Sequence, residues 1–466
     1  MNSLDAKITN LFPSIILNLQ ESIRIPSVQS DPAPDAPFGI EVKRALDQAL
    51  KTASSLGFAT QNLDSYVGWA EYGEGKDMVA VLGHLDVVPP GDGWTYPPFA
   101  GEIHGNKMFG RGTMDDKGPT IGALWALYAI KELSIPVKRR IRILFGTNEE
   151  SGMKDMKYYL EHGGEIPLMG FTPDGEFPII AYEKGQLHIR IDVPFIQPKA
   201  SKSMLLDING GTVPNVVPSE AKATIRFSDP DKKRTALNAI RETAQINDIK
   251  ISLLEEDNEV TLKVFGVAAH GSTPELGVNA IANLMFVLGS SIDEDWGKVI
   301  DQLGKCFYGD VNGMNLGIFT QDKLSGKLTC NLGLLTFQDE CMSLVLDIRF
   351  PVTFRSEDIL TPLKAFAGKN GFSLSILREK APLNMPEDSI LIRKLQKVYE
   401  EKTGQEAKLL SMGGGTYAKA LPNMVAFGPK FPGSPDVAHK ADEFIDLDEY
   451  LKVIQIIGAA MVEMAN

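Results

Sequence analysis

The stretch that most limits what this chain can fold into is residues 78–86, Met-Val-Ala-Val-Leu-Gly-His-Leu-Asp. Its first five residues are apolar without a break, the pattern of a strand buried on both faces of a parallel sheet. Gly83 ends the run, and His84 and Asp86 follow. Open α/β sheets bind ligands beyond the carboxyl ends of their strands, so these two residues fall where such a fold places chemistry. Residues two apart in an extended chain point to the same side. The Asp86 carboxylate is therefore expected to accept the ring N–H of His84, leaving the other nitrogen free for a metal. A histidine simply satisfied at a strand end is the competing reading of so short a motif. The rest of the chain has to decide between them.

At 466 residues the chain exceeds one ordinary core, and two or three domains are expected. Asp and Glu total 60 against 47 Lys and Arg, a net charge of −13. Such a surface repels phosphate backbones and argues against a nucleic-acid partner. It suits a metal site built from carboxylates. Cys306, Cys330 and Cys341 form no Cys-x-x-Cys and read as reduced, semi-buried residues. Asp5, Asn10, Pro13 and Asn18 interrupt the apolar residues at the N-terminus, and no long apolar run occurs. A soluble cytoplasmic protein with no membrane partner is expected.

Periodicity predicts helices over 3–24 (with a break at Pro13), 41–56, about 119–133 and 154–162, and a strand over 139–145. The helix after Pro119 is apolar nearly all round and should be deeply buried. This alternation predicts a mainly parallel α/β layer. From about Gly185 the pattern changes to half-exposed strands and helices of α+β type. Ile-Arg-Phe recurs at 225–227 and 348–350, each time before a helix and a further strand, so two related subdomains are expected. The expected domains are 1–185 and 384–466 for one catalytic domain, interrupted by an inserted lid domain over 186–383.

Further chemistry-bearing residues join His84. Asp115-Asp116 lie in a Gly-rich turn; Glu149-Glu150 and Asp174 each follow a strand-like stretch; His439 lies in a loop. A two-metal hydrolytic site needs a carboxylate that can bridge, terminal nitrogen or oxygen ligands, and a base for the attacking water. Two histidines and several carboxylates meet that need.

Together these motifs resemble the zinc M20 metallopeptidase family, and within it the bacterial PepV-type dipeptidases. The matching pieces are Gly83-His-Leu-Asp-Val-Val-Pro89, Gly110-Arg-Gly-Thr-Met-Asp-Asp-Lys-Gly118, Asn148-Glu-Glu-Ser-Gly152, Thr172-Pro-Asp174 and His439. The resemblance spans nearly the whole chain, and the order of the pieces makes it specific. It implies two zinc ions, replaceable by manganese or cobalt. His84, Asp115 and Asp174 would hold one; Asp115, Glu150 and His439 would hold the other, with Asp115 bridging. It further implies Glu149 as general base, Asp86 as support for His84, and a cis peptide between Asp115 and Asp116. Gly175 stands where this branch would be expected to carry Ala. His270 would reach the scissile carbonyl, Asn215 and Arg349 would contact substrate from the lid, and Gly415 with Thr416 would present backbone N–H groups to it.

Some of these residues have simpler readings. Arg349 sits in a predicted strand, where a structural salt bridge competes with substrate binding. His104 and His188 read as surface or strand residues, and His162 as favouring a helix dipole. No Gly-Lys-Ser/Thr follows residues 413–415, so a phosphate loop is not expected. The implied function is hydrolysis of small peptide substrates, dipeptides with a free amino terminus, by a monomer. The alternatives are an N-acyl-amino-acid deacylase with the same metals, and a non-catalytic binding protein on the same scaffold. The complete ligand set with Glu149 argues against the last.

Overall fold

The computed structural model describes residues 3–197 and 201–466. The chain divides into two compact units, one of Met1–Ala181, Met385–Leu410 and Gly415–Asn466, the other of Tyr182–Asn384 and Ser411–Gly414.

The first unit is an α/β layer. Its central strand is Met78–His84, buried at all seven positions. Arg140–Gly146 and Met169–Thr172 flank it, both parallel to it. Met424–Ala426 pairs parallel with Met169–Thr172. The expectation was a mainly parallel sheet; the observed sheet is mixed, parallel in its middle and antiparallel outside. The parallel centre arises because helices Lys117–Glu132 and Lys154–Glu161 cross back between successive strands. On one side a hairpin of Ala59–Leu63 and Val67–Tyr72 adds antiparallel strands, turning through Asp64 and Ser65 at φ 49° and 59°. On the other side Ala426 faces Ile180 antiparallel.

Helix Lys117–Glu132 is buried nearly all round, as its composition requires. It packs against Ser3–Ile23 and Leu447–Ala465. The Trp125 indole donates to Asn18 at 3.0 Å, and the Tyr450 hydroxyl to the Gly118 carbonyl at 2.7 Å. Ser3–Ile23 runs straight through Pro13, so the expected break does not occur. Ile8, Ile15, Leu19 and Ile23 are fully buried on either side of the proline, and this packing outweighs one missing backbone hydrogen bond.

The second unit is built on an antiparallel sheet. Its order is Lys250–Glu256, Glu259–Phe265, Glu220–Phe227, Ser203–Gly210, Thr329–Gln338, Cys341–Phe350, Gly185–Pro194 and Ser373–Lys380. Among the described residues, the two halves of the sheet pair at Gly210 and Leu335. Each Ile-Arg-Phe ends the strand next to this joint, and each is followed by a helix, Pro230–Ile246 or Ser356–Lys369, and then an outer strand of the sheet. No helix among the described residues is long and apolar enough to cross a membrane.

Gly83 shows how tightly the central strand end is packed. A Cβ there would lie 1.8 Å from Thr120 Oγ1 and 2.7 Å from Asp116 Oδ2. Gly83→Ala should therefore destabilise the protein by about 1–3 kcal/mol, as overpacking does. Denaturant unfolding measures this, and an unchanged midpoint would mean that the strand end yields easily.

Candidate functional site

Three adjacent parallel strands of the first unit end at one edge, and each delivers an acid or a histidine there. Met78–His84 ends on His84 itself. Glu149 and Glu150 follow Arg140–Gly146, and Asp174 follows Met169–Thr172. Asp115 stands just before helix Lys117–Glu132, joined to Asp116 by a cis peptide. His84 Nε2 lies 3.0 Å from Asp115 Oδ1 and 3.7 Å from Asp174 Oδ2. His439 Nε2 lies 3.1 Å from both Asp115 Oδ2 and Glu150 Oε1. Two groups of three possible ligands result, His84–Asp115–Asp174 and Asp115–Glu150–His439, with Asp115 common to both.

Asp86 supports this site differently from the expectation. The His84 Nδ1 contact is to the main-chain carbonyl of Asp86, at 2.9 Å. The Asp86 carboxylate lies 3.6 Å away, too far for a hydrogen bond. It accepts instead the backbone N–H groups of Glu149 and Glu150, each at 3.2 Å. Asp86 thus orients the ring with its backbone and anchors the Glu149-Glu150 loop with its side chain. The reason is that the strand stops at His84, so the alternation of side chains no longer applies two residues on.

Other buried acids hold the remaining loops. Asp116 Oδ2 accepts the His84 N–H at 3.0 Å and the Thr120 hydroxyl at 2.9 Å. Asp155 accepts the N–H groups of Thr147 and Asn148 at 2.7 and 3.1 Å, and the Tyr417 hydroxyl. Glu443 Oε1 accepts from the backbones of Gly112, Met114 and Asp115 at 3.0, 2.9 and 3.2 Å. Its other oxygen pairs with Arg111 at 2.7 Å, both side chains being buried. Sequence reading missed Asp155, Glu443, Arg111 and Tyr417. Their partners lie as far as 332 residues away, and no local spacing marks such a contact.

The site is crowded with negative charge. Burial, with Asp115 next, pushes Asp174 up to about 8. Burial also drives Glu149 well above the usual carboxylate range, and Asp174, Glu150 and Asp115 push the same way. Asp115 is equally buried, but His439 and His84 on either side hold it well below that range. Asp115 and Glu150 in turn raise the His439 imidazole to about 11. His84 Nε2 is buried and makes no hydrogen bond of acceptable geometry, while its other nitrogen is engaged. A lone pair facing carboxylates in this way fits a cation, not a proton-sharing pair. Imidazole and carboxylate donors without thiolate fit zinc and also manganese or cobalt. The residues present therefore suit a pair of divalent ions.

The other expected residues fall in two places. Gly415 is half-buried in the first unit, and Thr416 caps the short turn Tyr417–Lys419, its hydroxyl accepting the Ala418 N–H at 3.1 Å. His270, Asn215 and Arg349 lie in the second unit and cluster there. Val216 bridges to His270, and the Gly271 N–H donates to the Asn215 carbonyl at 2.7 Å. Ser272 donates its backbone N–H to His270 Nδ1 at 3.2 Å, and its Oγ lies 2.6 Å from the same nitrogen. An accepting Nδ1 makes the neutral ring the tautomer that carries hydrogen on Nε2. Arg349 is buried in a two-pronged pair with Asp347, Nε and Nη2 each at 2.8 Å, and its Nη1 donates to the Gly413 carbonyl at 3.0 Å. The salt-bridge geometry weighed for Arg349 is thus present. His188, read as a strand residue, joins this network 3.4 Å from Asp347.

Comparison with known proteins follows the same lines. The chain matches the model of peptidase family M20/M25/M40 over residues 80–463. It is 37% identical over 457 residues to "Putative dipeptidase YtjP" of Bacillus subtilis, covering 97% of both chains. It is 32% identical over 441 residues to "Putative dipeptidase SSP1012" of Staphylococcus saprophyticus, covering 92% of both. Among solved structures, the aminoacylhistidine dipeptidase of Vibrio alginolyticus aligns over 97% of this chain with a TM-score of 0.59 at 15% identity, a likeness of fold.

The Glu443 geometry yields a test of how the loop bearing Asp115 is held. Glu443→Ala leaves Arg111 buried without its partner and should cost about 3–5 kcal/mol. Glu443→Gln keeps an acceptor for the three backbone N–H groups and should cost less and retain more metal. Melting curves and metal content after dialysis compare the two; equal losses would mean that charge alone matters.

Proposed function

Because the chain belongs to peptidase family M20/M25/M40, we propose that it is a zinc-dependent dipeptidase acting on dipeptides with a free amino terminus. The observation that carries the reading is Asp115 shared between two ligand groups at the carboxyl ends of parallel strands. The names of the relatives, both described as dipeptidases, support the substrate class. His84, Asp115 and Asp174 would hold one ion, and Asp115, Glu150 and His439 the other. Bound there, zinc would supply Lewis acidity, polarising the scissile carbonyl and making a water easier to deprotonate. Manganese or cobalt would serve the same ligands.

Glu149 takes the proton from the attacking water and later gives it to the leaving amine. Glu149 belongs to neither ligand group, which leaves its carboxyl to accept and then donate a proton. Asp86 keeps Glu149 in place through its backbone N–H. His270 donates Nε2–H to the developing oxyanion, a role its tautomer supports. Arg349 uses three N–H groups on Asp347 and Gly413, and a guanidinium has five. The remaining ones would bind the substrate's C-terminal carboxylate, with Asn215, Gly415 and Thr416 as further contacts. In this reading residues 1–185 and 384–466 form the catalytic domain, and 186–383 a lid of two related subdomains. The enzyme works in the cytoplasm.

Glu149→Gln should keep both metals and lose about 100- to 10,000-fold in turnover, the usual worth of a general base. His439→Ala should instead lower metal occupancy. Zinc content measured beside hydrolysis of dipeptides and N-acetyl amino acids decides both points. A zinc-loaded Glu149→Gln that turns over normally would remove Glu149 as the base, and preference for the acetylated substrates would make the enzyme a deacylase.

The protein should also be a monomer. The single sheet with two halves would supply within one chain what a dimer supplies through paired lids. Light scattering at micromolar concentration tests this, and a stable dimer assembled through residues 186–383 would sink it.

A further inference from the structure

The second unit holds a pocket that none of the roles above uses. Its volume is about 520 Å³, within the roughly 300–1,000 Å³ common to small-molecule sites. Lys184, Ser272, Lys327, Thr329, Ser411 and Gly413 are among its walls. Ligand pockets combine apolar walls with a few placed polar groups, and here the polar groups are ammonium and hydroxyl groups beside Val311 and Met412.

Two of these side chains are buried. Lys184 is 9% exposed, and its Nζ donates to the Lys327 carbonyl at 2.5 Å. Burial lowers its pKa from the ordinary lysine value, although Glu275 and Asp322 pull the other way. A desolvated ammonium gains from a nearby anion. Lys327 adds a second, exposed cation. Thr329 is 7% exposed, and its hydroxyl is buried without a hydrogen-bond partner. By contrast, the Ser325 hydroxyl is fully engaged with Asp322 and the Val352 N–H. Glu275, the acidic residue of the lining, is exposed to solvent.

The pocket adjoins residues assigned above to substrate. Ser272 is the hydrogen-bond partner of His270. Gly413 gives its carbonyl to Arg349, and a Cβ on Gly413 would lie 2.7 Å from Ser272 Cβ, so these two walls touch. Thr329 pairs across the sheet with Arg349.

Resting on the dipeptidase reading, we propose that this pocket receives the side chain of the dipeptide's C-terminal residue and selects an acidic one, aspartate or glutamate. Lys184 pairs with the side-chain carboxylate, and the Thr329 hydroxyl donates to it. An aliphatic side chain would leave the Thr329 hydroxyl without a partner, and sites built for a polar group reject apolar substrates for that reason.

The test uses zinc-loaded protein and three substrates, Ala-Glu, Ala-Gln and Ala-Leu. Wild type should favour Ala-Glu over Ala-Leu in kcat/KM, with Ala-Gln between them. Lys184→Met should cut the Ala-Glu to Ala-Leu ratio by about tenfold to a hundredfold, the scale of a lost charge-assisted bond. Thr329→Val keeps the shape, and should lower the same ratio severalfold without lowering Tm, because the hydroxyl has no partner to lose. Wild-type preference for Ala-Leu, or an equal loss on all three substrates in both variants, would overturn the pocket assignment and leave the dipeptidase reading standing. If zinc-loaded wild type cleaves none of the three, the dipeptidase reading fails, and calorimetry decides the pocket alone. Tighter binding of Ala-Glu than of Ala-Leu, lost in Lys184→Met, would uphold it; equal binding of the two would end it.

Discussion

Repulsion among carboxylates is the constraint on which the first unit is built. Asp115, Asp174, Glu149 and Glu150 meet at one end of a buried sheet, with two imidazoles between them. Burial raises the cost of every charge, and each neighbouring acid raises it again. Such a cluster spreads apart or protonates unless its members are fixed and a cation is available. The chain fixes them with a second set of acids. Asp86, Asp116, Asp155 and Glu443 are all buried; Asp116 accepts the N–H of His84 at the strand end, and the other three accept two or three backbone N–H groups from loops that carry a member of the cluster or a neighbour. A carboxylate taking two or three such bonds holds a loop more firmly than a turn motif does, since charge-assisted bonds are roughly twice as strong as neutral ones.

This arrangement explains why the fold needs its parallel centre. Only parallel neighbours bring three carboxyl ends to one edge. The hairpin that widens the sheet is antiparallel and contributes no residue to the cluster. His439 does not come from a strand end at all. It sits at φ 61° in a loop, four residues before Glu443, which is tied to the backbone of Asp115. Closing the loop near residue 443 onto the turn near residue 112 therefore also delivers the second histidine.

The sequence made the strand ends legible because burial on both faces leaves an unbroken apolar run, and the charged residues after it stand out. His84, Glu150 and Asp174 could be picked from that contrast, whereas Asp115 and His439 follow no such strand and were found through motif order and the family resemblance. The anchoring acids could not. Glu443 looks like any surface glutamate in a polar loop, and its significance comes from Gly112, Met114 and Asp115, over 300 residues earlier. The Asp86 carboxylate was misdirected for a different reason, since the rule of alternating side chains was carried past the point where the strand stops. Pro13 misled because a local penalty was weighed without the buried residues on either side of it.

Arg349 shows how a residue can satisfy two readings that sequence alone sets against each other. Its pair with Asp347 is almost wholly buried, so removing either partner would strand a charge, at a cost of several kcal/mol. That cost falls on folding whether or not substrate is bound. The same pair fixes the plane of the guanidinium and spends the N–H groups on one side of it. A planar fork held this way loses little freedom when a further carboxylate arrives. Structural pairing and the proposed substrate recognition are therefore compatible, and the first would prepare the second. Activity lost on substitution of Arg349 mixes the two effects. Thr329 and Lys184 beside it allow a cleaner separation, since the Thr329 hydroxyl can be removed without breaking any bond that the folded protein already makes.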